Sequence, residues 1–256
     1  MLHNYHTHTP RCGHASGTGT EYVRAAIDAG FSLLGFSDHA PYRDHPRDYI
    51  SIRMSPELLP DYAAEFFELK ARFGEQIELH LGVEAEFYPS YFEGLLSELR
   101  AAGVEYLILG QHFLDDGLTG LYSGRATGDP AMLDRYVGQC LDALSTGYFT
   151  YFAHPDLLYF TGSDEEYARQ MRRLCRGAKD LGVPLELNLL GLREGRNYPD
   201  PRFWRIAAEE GCPAVIGWDA HKPEALNVPE VFSRARAALD ALGVERLESV
   251  PLRPIG

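Results

Sequence analysis

The chain alternates short apolar runs with longer amphipathic segments, and this rhythm limits the possible folds more than any other sequence feature. Seven β-rich runs occur, at 4–8, 33–39, 78–84, 106–112, 149–154, 184–190 and 214–221. Most are apolar along their whole length, which is typical of parallel strands covered on both faces. Seven helical patterns alternate with them, at 20–29, 57–73, 90–102, 130–145, 163–181, 201–210 and 229–242. Glycine follows most of these patterns, as it often does at helix ends.

This order of elements predicts an α/β fold. Seven strand–helix units favour a distorted (β/α)7 barrel, similar to the TIM barrel but one unit short, with an open doubly wound sheet as the alternative. No linker-like stretch divides the sequence, so we expect residues 1–256 to form one domain. The longest loop, 40–54, could cover a site.

Composition excludes several classes of function. A net charge of −13 argues against nucleic acid as a partner. No apolar run is long enough to cross a membrane, and no signal peptide is evident. The four cysteines are widely spaced, which predicts a reducing, cytoplasmic setting rather than a disulfide framework. No heptad pattern indicates an oligomeric state, which is left open.

Imidazoles and carboxylates fall at the ends of the predicted strands. They are His6, His8, His39, Glu84, His112, His154, Asp219 and His221, with His14 soon after the first strand. Because barrel strands end on one face, these side chains should meet there. Residues i and i+2 of a strand share a side, so His6 and His8 can bind one ion together.

Nine such groups exceed the needs of one tetrahedral ion, which predicts two or three divalent ions, and the mixed ligands suit Zn, Mn or Fe. We expect ordinary structural roles for His3, His45 and His80. Cys12 could be a ligand, although a structural role is favoured.

The motifs resemble those of the PHP (polymerase and histidinol phosphatase) family. They are His6-x-His8-Thr9, His14, Ser37-Asp38-His39, Gly82-x-Glu84, Gly110-x-His112, His154-Pro155-Asp156 and Asp219-Ala220-His221. The resemblance extends over essentially the whole chain, in order. Within the family the sequence is most similar to the histidinol-phosphate phosphatases. The resemblance implies a seven-stranded barrel with a trinuclear metal centre at the carboxyl ends of the strands.

The resemblance also implies how the ligands are shared. The first ion would take His6, His8, Glu84 and Asp219, the second Glu84, His112 and His154, and the third His14, His39 and His221. The expected reaction is hydrolysis of a small phosphorylated metabolite, L-histidinol phosphate, by a metal-bridging hydroxide. Asp219 or a rim histidine such as His221 would protonate the leaving oxygen.

Guanidinium groups should bind the phosphate, because they match its oxygens in bidentate geometry. Arg193 is favoured for this role, followed by Arg196 and then Arg53 in the 40–54 loop. Three alternatives stay open: a phosphoesterase with another substrate, another metal-dependent hydrolase such as a nuclease, and a non-catalytic metal-binding protein. The absence of a basic stripe counts against a polymer substrate.

Overall fold

The computed structural model describes residues 2–43, 52–115 and 121–256. Seven strands form one parallel sheet in chain order. They are β1 (Leu2–Asn4), β2 (Phe31–His39), β3 (Glu78–Ala85), β4 (Tyr106–Leu109), β5 (Phe149–Phe152), β6 (Leu185–Asn188) and β7 (Ala214–Gly217). A doubly wound sheet would reverse its strand order about a central strand. The sequential order therefore confirms the predicted barrel.

The helices follow the strands along the chain, one after each strand except β6, which two helices follow. They are α1 (Gly19–Asp28), α2 (Leu59–Phe73), α3 (Pro89–Ala101), α4 (Pro130–Ser145), α5 (Asp164–Asp180), α6 (Leu189–Glu194), α7 (Pro201–Glu210) and α8 (Pro229–Leu242). Local signals define where several of them begin. Thr18 and Glu21 form a reciprocal capping box at α1, and the Asp129 side chain caps α4 ahead of Pro130. No helix in the described part of the chain is long and apolar enough to cross a membrane.

The barrel is nearly closed, and its closure explains why the first strand is shorter than predicted. The predicted strand 4–8 ends at Asn4, whose side-chain amide bonds to both backbone groups of His6. The chain then runs on between the ends of β2 and β7. Ser37 and Thr7 exchange hydrogen bonds on one side, and Ala220 bonds to His6 and His8 on the other. A bridge between Thr7 and Ala220 joins the two edges of the sheet.

Four other predicted strands also end early. In the structure, β4 ends at Leu109, β5 at Phe152, β6 at Asn188 and β7 at Gly217. The predicted sixth strand included Leu189 and Leu190, but these residues begin α6 because the Asn188 side chain caps a helix there. The apolar character of these positions reflects burial, which strand and helix residues share.

Three tyrosines fill the lower barrel. Tyr5 contacts both Tyr106 and Tyr151 edge to face, and all three are almost fully buried. The Tyr106 hydroxyl donates to the carbonyl oxygen of Tyr5, 2.7 Å away. Gly82 leaves room for this ring, since a Cβ there would lie 2.2 Å from it. These three side chains therefore fill the interior of the barrel below the carboxyl ends of its strands.

Candidate metal centre

The nine predicted ligand residues come together at the carboxyl ends of the strands. His39 ends β2 and pairs in register with Glu84 near the end of β3. The others lie in segments that follow the strands rather than in the strands themselves: His6, His8 and His14 after β1, His112 after β4, His154 after β5, and Asp219 and His221 after β7. The strand ends therefore converge as expected, although most of the side chains stand on loops.

Glu84 is the carboxylate to which most of the imidazoles point. Five ring nitrogens lie 2.9–3.6 Å from its oxygens: Nε2 of His6, Nε2 of His8 and Nδ1 of His39 near Oε2, and Nε2 of His112 and His154 near Oε1. Each of the two carboxylate oxygens thus faces its own set of imidazoles. This arrangement is expected of a carboxylate that bridges two metal ions.

Asp219 faces the same space from β7. Its Oδ1 lies 3.2 Å from His8 Nε2, 3.5 Å from His6 Nε2 and 3.2 Å from His221 Nδ1. The donor atoms of His6, His8 and Asp219 all lie within 4.8 Å of one another. Asp219 therefore completes a three-residue group drawn from the residues predicted for the first ion.

The atoms at the middle of this cluster lack hydrogen-bond partners. They are Nε2 of His6 and His8, Oε2 of Glu84 and Oδ1 of Asp219, all buried. Buried polar atoms without partners are costly and rare in folded proteins. Lone pairs that converge on a common space are what a divalent cation requires, so the residues present fit metal ions of the imidazole- and carboxylate-binding kind.

A second group lies at the rim of the barrel. The donor atoms of His14, His39 and His221 lie within 4.8 Å of one another, and Nε2 of His14 is 2.8 Å from Nε2 of His221. Cys12 also approaches His8 and His221. Burial and nearby Asp38 raise the pKa of the Cys12 thiol to about 12, which favours its structural role over ligation as a thiolate.

Opposite charges in the cluster perturb its ionisation. Burial opposes the charge of Glu84, but the surrounding His112, His39 and His6 hold the pKa of its carboxyl well below the ordinary value. Burial likewise opposes the charge of Asp219, and His6 and His221 lower the pKa of that carboxyl. Both carboxylates are therefore ionised, as metal ligands must be.

The imidazoles divide into two classes. Burial lowers the pKa of His39 well below its ordinary value and that of His112 to about 3. Burial also opposes the protonation of His6 and His8, but the neighbouring carboxylates outweigh it and raise the pKa of both, that of His8 to about 9. In the metal-free protein, the carboxylates thus favour the protonated forms of His6 and His8. A bound cation would neutralise the carboxylates instead.

Two of the candidate ligands have a strained backbone. Within the described part of the chain, three residues other than glycine have positive φ, and His154 (33°) and Asp219 (49°) are two of them. This region is unfavourable for residues with a Cβ and persists where the surroundings impose it. The bends turn both side chains back over the barrel after β5 and β7 end.

An outer layer of acceptors orients the imidazoles. His6 Nδ1 lies 2.7 Å from Glu186 Oε1, and His14 Nδ1 lies 3.0 Å from the carbonyl oxygen of Cys12. Contacts of this kind fix which ring nitrogen is available to a metal.

A cavity of about 580 Å³ opens above the cluster, a size typical of small-molecule sites. In the described part of the chain, three cationic side chains line it, those of Arg193, Arg196 and Lys222. Arg196 lies 2.7 Å from Glu194 and 2.9 Å from the Tyr198 hydroxyl. Arg193 approaches Glu194 only at 3.5 Å.

Arg53 lies outside the residues that line this cavity. Its guanidinium forms an ion pair with Glu86 and donates to the Tyr88 hydroxyl at 2.7 Å, and its side chain is 8% exposed. In the 40–54 loop, Ile52 lines the cavity, and residues 44–51 lie outside the described residues.

Several residues of the site were not predicted. Lys222, Tyr122 and Tyr198 line the cavity, and Glu186 contacts His6 from below. Lys222 follows His221 directly, so its position beside a predicted ligand was the available signal. Glu186 stood in an apolar strand, where a buried carboxylate is unusual and indicates a specific partner.

The remaining histidines lie elsewhere or outside the described residues. His80 contacts Glu78 and Glu105 near the opposite end of β3, and His3 is half-buried in β1. Both agree with the structural roles expected of them. His45 lies outside the described residues.

Comparisons with known proteins agree with this geometry. The profile of the PHP domain family matches residues 4–189. A Deinococcus radiodurans protein named "Probable histidinol-phosphatase" is 35% identical over 230 residues, 85% of each chain. The histidinol-phosphatase of Bacillus subtilis is 25% identical over 247 residues, 85% of this chain and 92% of its own.

A similar fold occurs in a solved structure. The histidinol phosphate phosphatase of Lactococcus lactis, complexed with Zn, L-histidinol and phosphate, superposes with a TM-score of 0.72 at 18% identity and covers 98% of both chains. This likeness supports the barrel architecture.

Proposed function

Because the chain belongs to the PHP family, we propose that it is a metal-dependent phosphatase that converts L-histidinol phosphate and water to L-histidinol and phosphate. The observation that carries the proposal is the convergence of unpartnered imidazole and carboxylate atoms beneath a cavity with cationic walls. The whole chain, residues 1–256, is proposed to act as one barrel domain.

Two or three divalent ions are proposed to bind at the cluster, with Zn, Mn or Fe as candidates. His6, His8, Glu84 and Asp219 would hold the first, Glu84, His112 and His154 the second, and His14, His39 and His221 the third. When bound, such ions lower the pKa of water towards neutrality and neutralise phosphate oxygens. The zinc of the L. lactis enzyme supports this ion as the first to test.

The phosphate group is proposed to lie between the cluster and α6. Arg193 is in the last turn of α6, and Arg196 follows it, so both guanidinium groups reach the cavity from one side. Planar N–H pairs match two phosphate oxygens at once. Arg53 is the weakest of the three predicted phosphate ligands, since its Nε and Nη2 already donate to Glu86 and Tyr88.

The leaving oxygen of the alcohol must receive a proton. Asp219 and His221 both line the cavity, and His221 Nδ1 lies 3.2 Å from Asp219 Oδ1. We propose Asp219 as the donor, with His221 as the alternative. Since Asp219 is ionised, it would first accept a proton from the attacking water and then deliver that proton to the leaving oxygen. His221 would carry the proton in the same way, so that either residue returns to its starting state and the overall reaction consumes one water.

The alcohol part of the substrate carries an amino group and an imidazole. Among the described residues, Glu194 is the carboxylate that lines the cavity apart from the predicted metal ligands, and Tyr122, Tyr198 and Phe113 provide aromatic surface. Asp156 is buried away from this lining and accepts the backbone N–H of Asp200. Glu194 is therefore the better candidate for the amino group.

The test is phosphate release by the purified protein reloaded with Zn or Mn. The panel should contain L-histidinol phosphate, other small phosphomonoesters and the phosphate-free alcohol, with chelator-treated protein as the control. We expect kcat/KM to be highest for L-histidinol phosphate and release to stop in chelator. Slow release from every ester alike would refute the substrate, and no release by metal-loaded protein would refute the phosphatase activity.

A further inference from the structure

Glu186 is a fully buried carboxylate beneath the metal centre and is not one of its predicted ligands. It stands on β6, inside the barrel. Its Oε1 lies 2.7 Å from His6 Nδ1, and its Oε2 accepts the backbone N–H of His154 at 3.0 Å and the Asn188 amide at 2.9 Å. One side chain thus joins β6 to the segments that follow β1 and β5.

The contact with His6 determines which ring nitrogen is free. A carboxylate oxygen accepts a hydrogen bond from a ring N–H, so the 2.7 Å contact favours the His6 tautomer with its proton on Nδ1. Nε2 then faces Glu84 Oε2 at 3.4 Å and Asp219 Oδ1 at 3.5 Å, on the side of the predicted ions. The orientation of this ring is therefore set from below by Glu186.

The contact with His154 acts on the backbone. His154 has a φ of 33°, and its amide N–H points to Glu186 rather than to a neighbouring strand. An acceptor at this point stabilises a bend that is otherwise unfavourable. The bend brings His154 Nε2 to 2.9 Å from Glu84 Oε1.

The neighbouring strand leaves space for this carboxylate. Asn188 pairs with Gly217 of β7, and a Cβ added to Gly217 would lie 1.7 Å from Glu186 Oε1. Any side chain at position 217 would displace the carboxylate from His6. Asn188 extends the network, since its amide also donates to Asp219 Oδ2 at 3.1 Å.

We propose that Glu186 is a positioning residue of the metal centre, which holds His6 with its proton on Nδ1 and fixes the bend at His154. The inference rests on the proposed metal centre. Among the described residues, Glu186 belongs neither to the lining of the cavity nor to the candidate metal-binding groups, and it acts through the two histidines. Outer-layer partners of this kind change metal affinity by about 10- to 100-fold when they are removed.

The test is the zinc affinity of Glu186→Gln, measured by competition with a chromophoric chelator. Glutamine keeps the size but offers one oxygen, so its NH₂ must face either His6 Nδ1 or the His154 N–H. We expect zinc to bind about 10- to 100-fold more weakly to this variant. Asp156→Asn is the matched control, because Asp156 is as deeply buried but bonds to the backbone of Asp200.

The outcomes separate the two proposals. Unchanged zinc affinity in Glu186→Gln, or an equal loss in Asp156→Asn, would overturn the role of Glu186. Wild-type protein that binds no zinc would overturn the metal centre and this inference together. Wild-type protein that binds zinc without releasing phosphate would overturn the proposed activity alone, and the affinity comparison would still decide the role of Glu186.

A second measurement needs no variant and decides the question if Glu186→Gln does not fold. In zinc-loaded wild-type protein with ¹⁵N-labelled histidine, the ring resonances of His6 report which nitrogen carries the proton. We expect a protonated Nδ1 and a coordinated Nε2. Coordination through Nδ1, or a proton on Nε2, would refute the inference.

Discussion

Arg193, in the last turn of α6, and Arg196, just after it, differ in how closely other side chains hold their guanidinium groups. This difference predicts unequal effects of their removal. Arg196 is held by Glu194 at 2.7 Å and by the Tyr198 hydroxyl at 2.9 Å. The 3.5 Å approach of Arg193 to Glu194 is longer than a normal hydrogen bond. Arg193 thus has N–H donors that can bind a phosphate group. Its removal should therefore weaken transition-state binding more than the removal of Arg196.

The expected magnitude follows from the number of charged hydrogen bonds lost. One such bond is worth about 1.5–3 kcal/mol, which corresponds to roughly a 10- to 150-fold lower kcat/KM. Arg193→Ala should show this loss and weaker inhibition by inorganic phosphate. Arg193→Lys should recover only part of it, because an ammonium group cannot bind two oxygens in fixed geometry.

The assay is steady-state phosphate release by metal-loaded protein, with zinc content measured in parallel. Arg176→Ala is the matched control, because Arg176 lies on α5, pairs with Glu210 and does not line the cavity. If Arg193→Ala kept the kcat/KM and phosphate inhibition of the control at full zinc content, the assignment of Arg193 to the phosphate would be wrong.

Three further predictions concern the metal centre and the barrel. His8→Ala should lower zinc content and remove most turnover while the circular dichroism spectrum stays native, and full activity at full zinc content would contradict the ligand assignment. Tyr106→Phe leaves the carbonyl oxygen of Tyr5 without its donor, so the free energy of unfolding in urea should fall by about 1–3 kcal/mol with zinc affinity unchanged; unchanged stability would show that the hydroxyl is dispensable. In metal-free protein, burial lowers the pKa of His112 from 6.5 to about 3, so this group contributes stability above pH 6.5 that is lost as the pH falls towards 3. The asparagine of His112→Asn cannot be protonated, so the urea midpoint of this variant should rise relative to that of wild type as the pH falls from 6.5 towards 3. A difference between the two midpoints that does not change with pH would count against a buried, neutral His112.

Two buried residues outside the predicted ligand set, Glu186 and Asn188, connect the segments that carry the ligands. Glu186 reaches the segments after β1 and β5, and Asn188 joins it to Asp219 after β7. The Asn188 side chain also accepts the N–H of Gly191 at the start of α6. The helix that carries Arg193 is therefore connected to the metal ligands by a short chain of buried hydrogen bonds.

Much of the fold could be predicted because its signals are local. Burial on both faces makes a parallel strand continuously apolar, and amphipathic helices repeat with their own period, so the alternation of elements is visible in the order of residues. The ligand types were visible for the same reason. His6, His8, Glu84 and Asp219 stand at the ends of such runs, and barrel strands end on one face.

Tertiary structure alone decided the rest. The residues at strand ends find partners far away in sequence: Asn4 Oδ1 accepts the backbone N–H of Trp218, and the Asn188 amide donates to Asp219 Oδ2. The three predicted arginines look alike in sequence, but Glu86 engages Arg53 while Arg193 stays at the cavity. The role of Glu186 depends on a histidine 180 positions away and on the space beside Gly217. Such contacts arise only when the barrel closes, because closure alone brings distant strands within hydrogen-bond distance.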